Sequence, residues 1–320
     1  MAKSGMEVRC FEFAIFSVRP AVIYIHFPDS SVANKSVWKM LIKSSAFVLS
    51  ILWAKLFGSQ IVWEVNNLRS HECHFPLFEA ILMAVFVRSV SATVHYSNSS
   101  ARETFKLYPV LRERPSVVIP HPNFHHIYSK RGNALRGRRI LGVEKEEVVL
   151  IAFGLIRRYK GTKELIELFT KLEDTRLRLV VAGRPVDEAY ALELRRVALS
   201  DSRVQLIFRD ITDEELPDIF ATVTLNCAPF RTILNSGSVI LALSFACPVL
   251  APRLGSLRDL EKLVGSEWIT LYDGELTLKI LSEAVCWAQK ERVSVPELSF
   301  CDIEKITADT LAFLTKIRAT

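Results

Sequence analysis

At 320 residues with 50% hydrophobic content, the chain is long enough for two domains of ordinary size and apolar enough for two buried cores. Its formal net charge of +6 permits attraction to nucleotides, nucleic acid or anionic lipid, but no finger, basic zipper or aromatic RNA-binding motif occurs, so nucleic acid ranks last. The six cysteines (Cys10, Cys73, Cys227, Cys247, Cys286, Cys301) have no paired spacing and read as reduced residues of a cytoplasmic protein, and residues 1–6 lack the apolar core of a signal peptide.

Along the chain, short β-rich runs alternate with longer helical ones, the pattern of parallel α/β sheets. In the first half, strands are expected at residues 8–13, 21–26, 60–65, 92–96 and 116–119. Between the second and third of these lies the apolar run 37–57, interrupted by Lys39, Lys43 and Lys55; its longest uncharged piece, 44–54, is too short to span a bilayer. Two readings stand for it: a helix buried against the first sheet, which is favoured, or one whose lysines and tryptophans rest on a membrane surface. His71-Glu72-Cys73-His74 lacks a second ligand pair at a recognised spacing, and no metal is expected there. The polar, basic stretch 128–139 is the natural linker. Strands of the second half are expected at 148–153, 178–182, 204–208, 222–227, 248–251 and 268–272, with a last helical run at 303–317.

Two segments of the second half carry chemistry. Phe153-Gly154-Leu155-Ile156-Arg157-Arg158-Tyr159-Lys160-Gly161 closes an apolar strand and hands three cations to a helix that begins at Thr162, with Leu165, Leu168, Phe169 and Leu172 at helical spacing. A fixed anion would sit between the amide-rich end of that helix and Arg157 or Lys160; the competing reading is a basic loop facing solvent. Asn226 to Ser238 likewise follows an apolar strand and precedes the helical run 239–246. Asn235 or Ser236 serves there as N-cap, and Gly237 lets a ligand approach the backbone. Two helix N-termini after two strands of one sheet favour a phosphate-binding crevice.

Trp63-Glu64-Val65-Asn66-Asn67-Leu68-Arg69-Ser70-His71-Glu72, Val94-His95-Tyr96-Ser97, Val118-Ile119-Pro120-His121, the turn at 157–161, Ala182-Gly183-Arg184-Pro185 and the cap at 235–238 recur in an order and spacing that identify a family resemblance. From about residue 20 onward the chain resembles GT-B-fold glycosyltransferases. It is most similar to the retaining family-four group that includes bacterial exopolysaccharide mannosyl- and glucosyltransferases. The resemblance implies an α/β fold of two Rossmann-like domains facing each other across a cleft: 1–135 on the acceptor side, 136–300 binding the nucleotide sugar, and a C-terminal helix, 301–320, crossing back. It implies transfer of a hexose from a GDP- or UDP-linked donor to a saccharide or lipid-linked saccharide, with retention, no cofactor and no metal; no Asp-x-Asp occurs in the chain. It further implies a cytoplasmic protein, with peripheral contact at the inner face of the membrane as an option.

The same resemblance assigns the leaving diphosphate to Arg157 and Lys160. Arg158 either assists Arg157 or is a surface charge. Gly154, Gly183 and Arg184 border the crevice, Arg184 either near the phosphates or paired on the surface. Phe208 and Ile211 flank the base, and Asn235, Ser236, Gly237 and Ser238 complete the phosphate cradle. On the acceptor side, His121 is the best candidate to touch sugar or phosphate, and His71 with Glu72 could orient an acceptor hydroxyl or act as base; for His95 a structural role is favoured. The chain departs from the family where Arg209 replaces a frequent glycine, where Asn66 and Pro122 replace a frequent histidine and glycine, and where Ile233 and Leu241 occupy the two positions of a Glu-x7-Glu pattern. Only about twenty residues precede the strand expected at 21–26, so either the opening unit is abbreviated or the chain starts late. These departures keep open a catalytically silent nucleotide-sugar-binding subunit of a glycosyltransferase complex. A nucleotide-sugar epimerase of the same fold is disfavoured for want of paired carboxylates.

Overall fold

The computed structural model describes residues 21–32, 36–70, 74–128 and 132–319. The chain folds as two compact units, 1–121 with 303–320, and 122–302. The strand expected at 8–13 lies outside the described residues.

The described part of the first unit is a parallel sheet of β1 (Val22–Ile25), β2 (Gln60–Glu64), β3 (Ala92–His95) and β4 (Ser116–Val118), in that order. Each crossover carries a helix on its way back: α1 (Val37–Leu56), α2 (Pro76–Ser89) and α3 (Asn98–Leu107). Pro76 opens α2, where its missing N–H costs nothing. A reciprocal pair of Ser97 and Ser100 hydrogen bonds, both 3.0 Å, caps α3. Trp63 and Phe86 are fully buried and meet edge to face at 5.4 Å. The C-terminal helix Ile303–Arg318 belongs to this unit and packs beside β1.

The favoured reading of α1 as a buried helix holds for one face only. Met40, Ser50, Ile51 and Ala54 are buried, and Phe47 stacks on Phe86 at 5.6 Å. Trp38, Ile42, Leu49, Leu52 and Leu56 form an outward stripe at helical spacing, with Trp38 76% and Leu56 79% exposed. Among the described residues, α1 is also the one helix long and apolar enough to cross a membrane by length and composition, although its longest uncharged piece is not.

The second unit holds α4 (Ala134–Leu141), β5 (Val148–Phe153), α5 (Thr162–Phe169), β6 (Leu177–Ala182), α6 (Glu188–Ala198), β7 (Val204–Ile207), α7 (Leu216–Phe220), β8 (Leu225–Cys227), α8 (Gly237–Ser244), β9 (Val249–Pro252), α9 (Leu257–Val264), β10 (Ile269–Tyr272) and α10 (Leu278–Ala288). Its strands are all parallel in the order β10-β9-β8-β5-β6-β7. Strand β5 is apolar throughout because both of its faces are covered. Leu150 and Ala152 pack into one core with Leu165 and Phe169, and Val149 and Ile151 into another with Leu141 and Ile219. The winding reverses between β5 and β8, the switch point at which such sheets leave a crevice beyond their carboxyl ends.

The stretch 128–139 is not a linker throughout its length. Asn133 caps α4, with its own amide donating to Asp218 Oδ1 at 2.6 Å, and Thr222 Oγ1 donates to the Ala134 carbonyl at 3.1 Å. The α4 helix is thereby fastened to α7. Nearer the start of the unit, Asn123 ties to its end, donating to the Leu298 carbonyl and Asp302.

Candidate functional site

The chain leaves β5 through Gly154, at φ +97°, whose amide donates to the Ala182 carbonyl at 2.9 Å. Gly183, at φ +145°, ends β6 beside it; a Cβ on Gly183 would stand 2.2 Å from the Gly154 carbonyl oxygen. Only glycine permits both the dihedral and the approach. A 3-10 turn, Arg158–Lys160, follows, and Gly161 then opens α5 in the left-handed region. The turn is held to the loop after β8: the Arg231 amide donates to the Tyr159 carbonyl at 2.8 Å, and a Cβ on Gly161 would meet the Pro229 carbonyl oxygen at 2.1 Å.

Between these two loops lies a pocket lined by Phe153, Gly154, Leu155, Lys160, Thr162 and Ser238, among others. The first turns of α5 and α8 both border it, bringing two positive dipole ends to one place. Ser236 caps α8, its Oγ accepting from the Val239 amide at 3.3 Å and lying 3.1 Å from Ser238 Oγ. Lys160 folds back so that its Nζ is 3.4 Å from the Phe153 carbonyl oxygen. Desolvation, and secondarily the charge of Arg157, push its pKa down to about 8.

The neighbouring cations are already engaged. Arg158 contacts Glu193 at 2.8 Å and Asp187 at 3.3 Å and lies over the Tyr190 ring. Arg184 pairs with Asp210, Arg209 with Glu215, and Arg231 with Glu164. Lys160 has no carboxylate partner among the described residues. Of the residues expected at the phosphates, Gly154, Lys160 and Ser238 line this pocket; Gly183 packs on Gly154, Arg157 stands just before the 3-10 turn, Ser236 and Gly237 form the adjoining cap, and Asn235 precedes it. Arg158 and Arg184 are turned into surface ion pairs. Phe208 and Ile211 stand at the end of edge strand β7, Phe208 beneath Arg195 and Ile211 against the core that contains Val149.

In the first unit, His71 and Glu72 lie outside the described residues. His121 follows β4 with its ring 5.5 Å from that of Tyr96. His95 is fully buried, its Nε2 2.9 Å from Thr93 Oγ1, and burial pushes its pKa down to about 4, as befits a core residue. Sequence reasoning misses a cluster at the carboxyl edge of this sheet. Glu64 ends β2 with His26 Nδ1 in contact with its Oε2, and the hydroxyls of Tyr24 and Tyr96 lie beside its carboxylate. Tyr96 donates to Asn66 Oδ1 at 3.0 Å. Burial, then Glu64, raises the pKa of both tyrosines, and the Glu64 hydrogen bond raises that of His26. The available signal is the alternation that places positions 24 and 26 on one face of β1, close to an acidic strand end.

No family model matches the chain. A GDP-mannose:glycolipid 4-beta-D-mannosyltransferase of Xanthomonas campestris pv. campestris is 26% identical over 277 residues, spanning 83% of this chain and 73% of the relative. Among solved structures, sucrose-phosphate synthase from Thermosynechococcus elongatus superposes with a TM-score of 0.70 at 13% identity, covering 93% of this chain and 74% of that one. The Anabaena protein HepE in complex with UDP-glucose gives 0.65 at 16% identity, with 92% and 79% covered. A glycosyltransferase from Rickettsia africae gives 0.60 at 11%, with 95% and 78% covered. At these identities the likeness to solved structures establishes architecture, and that architecture, with its two all-parallel α/β units, is the GT-B fold of glycosyltransferases.

Proposed function

We propose that the protein transfers a hexose from a GDP- or UDP-linked donor to a saccharide or glycolipid acceptor, working at a membrane surface. One observation carries the reading: two helix N-termini and the desolvated ammonium of Lys160 border one pocket at the switch point of the second sheet. Breaking the bond from the anomeric carbon to phosphate puts negative charge on the departing diphosphate, so fixed positive potential at that spot stabilises the transition state more than the bound donor. The reading gives that work to Lys160, Arg157 and the helix ends, and EDTA is expected to leave transfer intact. The mannosyltransferase relative supports a GDP-linked donor and a glycolipid acceptor.

The membrane part of the reading is supported by α1 and α2. Beside the outward stripe of α1, helix α2 exposes Leu77, Phe78, Ile81 and Val85. Lys39, Lys43, Lys55 and Arg88 are exposed on the same two helices, and α1 contains no acidic residue. Apolar side chains with basic flanks suit the headgroup boundary of an anionic bilayer.

A second reading, the catalytically silent subunit, is favoured by Ile233 and Leu241 at the expected carboxylate positions; Leu241 is buried in α8. Incubation with radiolabelled GDP-mannose and UDP-glucose separates the two. Hydrolysis or transfer of either donor supports the enzyme, and saturable binding without turnover supports the subunit.

A further inference from the structure

Among its described residues the second unit buries two asparagines and two threonines, and they are of two kinds. Asn123, 2% exposed, uses its whole carboxamide: Nδ2 donates to the Leu298 carbonyl at 3.1 Å and to Asp302 Oδ1 at 2.6 Å, and Oδ1 accepts from the His125 amide at 3.2 Å. Thr222 Oγ1 likewise bonds the Ala134 and Asp218 carbonyls, each at 3.1 Å. These are structural polar groups. Asn226 and Thr162, each 3% exposed, make no side-chain hydrogen bond among the described residues, and both line the pocket that holds Lys160. Strand β8 turns Leu225 and Cys227 into the core that contains Leu150, while its register pairs Asn226 with Ile151, which belongs to the opposite core. Asn226 is thus a polar side chain on an apolar face, and its backbone amide already donates to the Pro248 carbonyl at 2.8 Å. A buried carboxamide without a protein partner, aimed into a pocket, marks a place for a ligand group.

Resting on the nucleotide-sugar reading, we propose that Asn226, with Thr162 at the start of α5, hydrogen-bonds a hydroxyl of the donor's hexose, so that this pocket tells a nucleotide sugar from the nucleoside diphosphate left after transfer. Lys160 and the two helix ends only donate, which suits phosphate oxygens, since those only accept. A carboxamide is different. Its Nδ2 donates and its Oδ1 accepts, and a phosphate beside it would leave Oδ1 unpaired. A hydroxyl gives its proton to Oδ1 while accepting from Nδ2 or from Thr162 Oγ1, so one group satisfies the pocket floor. In a nucleotide sugar the hexose hydroxyls are joined through the ring to the same phosphate, so one can enter the floor while Lys160 holds the diphosphate. Once the hexose has gone, the diphosphate keeps Lys160 and loses the floor, which favours its release over that of the donor.

The test is calorimetry on the full chain, comparing GDP-mannose with GDP and UDP-glucose with UDP. It needs no turnover, so it reads the same in an enzyme and in a silent subunit. Asn226→Leu keeps the size of the side chain and removes the amide. It should bind the nucleotide sugar about 5- to 150-fold more weakly, the range for a hydroxyl left without its buried partner, and the nucleoside diphosphate within about twofold of the parent. Thr162→Val, of nearly the same shape as the parent side chain, should show the same split at smaller size, and decides the matter if Asn226→Leu does not fold. Equal weakening of sugar and diphosphate would give Asn226 to the phosphate, and no weakening of either would give it to a bridging water; each overturns the proposal. A parent that binds none of the four nucleotides would sink the nucleotide-sugar reading itself, and this inference with it.

Discussion

Replacing Lys160 with methionine should stabilise the unliganded protein and weaken its grip on nucleoside diphosphates. The side chain keeps its length, but the charge is gone from a site where the protein suppresses it. A pKa lowered from 10.5 to about 8 corresponds, at about 1.4 kcal/mol per unit, to roughly 3 kcal/mol by which folding disfavours the charged lysine. The sign follows from proton counts. Because the folded-state value is the lower one, the penalty is complete below about pH 8, where the lysine is charged in both states. It shrinks as pH rises from there toward 10.5, since the unfolded chain then holds the extra proton. Urea titrations should therefore show Lys160→Met ahead of the parent by up to ~3 kcal/mol at pH 7, with the gap closing toward pH 10.

Binding should move the other way. A diphosphate beside Nζ restores the charged form, so calorimetry of GDP or UDP near pH 8 to 9 should report proton uptake by the parent and none by the variant. The variant should bind about 1.5–3 kcal/mol more weakly, as for a lost charge-assisted hydrogen bond, with the bare nucleoside unaffected. A variant less stable than the parent at pH 7 that binds GDP and UDP equally well would refute the reasoning, and make Lys160 a structural residue.

Arg157→Ala should weaken nucleoside diphosphate binding on the same scale as Lys160→Met, whereas Arg158→Ala should change it by less than ~0.5 kcal/mol, because Glu193 and Asp187 already occupy that guanidinium; calorimetry compares them directly. Gly183→Ala should lose about 1–3 kcal/mol of stability from its φ alone, and more from the 2.2 Å approach to the Gly154 carbonyl, as read by denaturant midpoint. The triple variant Trp38→Ser, Leu49→Ser, Leu56→Ser should lose sedimentation with anionic vesicles at unchanged nucleotide binding, and Lys39→Glu with Lys43→Glu should remove about 1 kcal/mol per lysine in a salt-sensitive way. Vesicle binding untouched by both sets would remove the membrane surface from the proposal.

The second unit is the more legible half because its signals are local. Strand β5 falls where an unbroken apolar run ends at a glycine, and each other strand of that sheet falls within a few residues of its expected place. Which cation serves the pocket is less legible, because Arg157, Arg158 and Lys160 look alike in one dimension. The 3-10 turn separates them: Arg158 is turned toward α6, where it pairs with Glu193, while Lys160 folds back onto the Phe153 carbonyl at the pocket. Helix α1 misleads for a related reason. A helix apolar on all sides reads as buried on all sides, and its pattern does not reveal that only the face bearing Met40, Ile51 and Ala54 is covered. The His26–Glu64 pair is only half legible: alternation puts positions 24 and 26 on one face, but the pairing depends on register between strands separated by α1, and no local spacing encodes that.

The pocket of the second unit also shows where this fold concentrates its cost. Its backbone turns with positive φ at Gly154, Gly161 and Gly183, all glycines, so the chain is bent there without steric strain. Among the described residues the one non-glycine with positive φ is Ala246, which follows α8 and does not line the pocket. The unfavourable contribution is therefore electrostatic and sits on Lys160. That is the useful place for it. Backbone strain would be released by any relaxation of the loop, whereas a desolvated cation is relieved only by an anion, and most fully by the anion carrying the greatest charge. During hexose transfer that anion is the departing diphosphate, so the instability of the empty pocket is spent on the step that needs it, and a neutral nucleoside gains nothing from it.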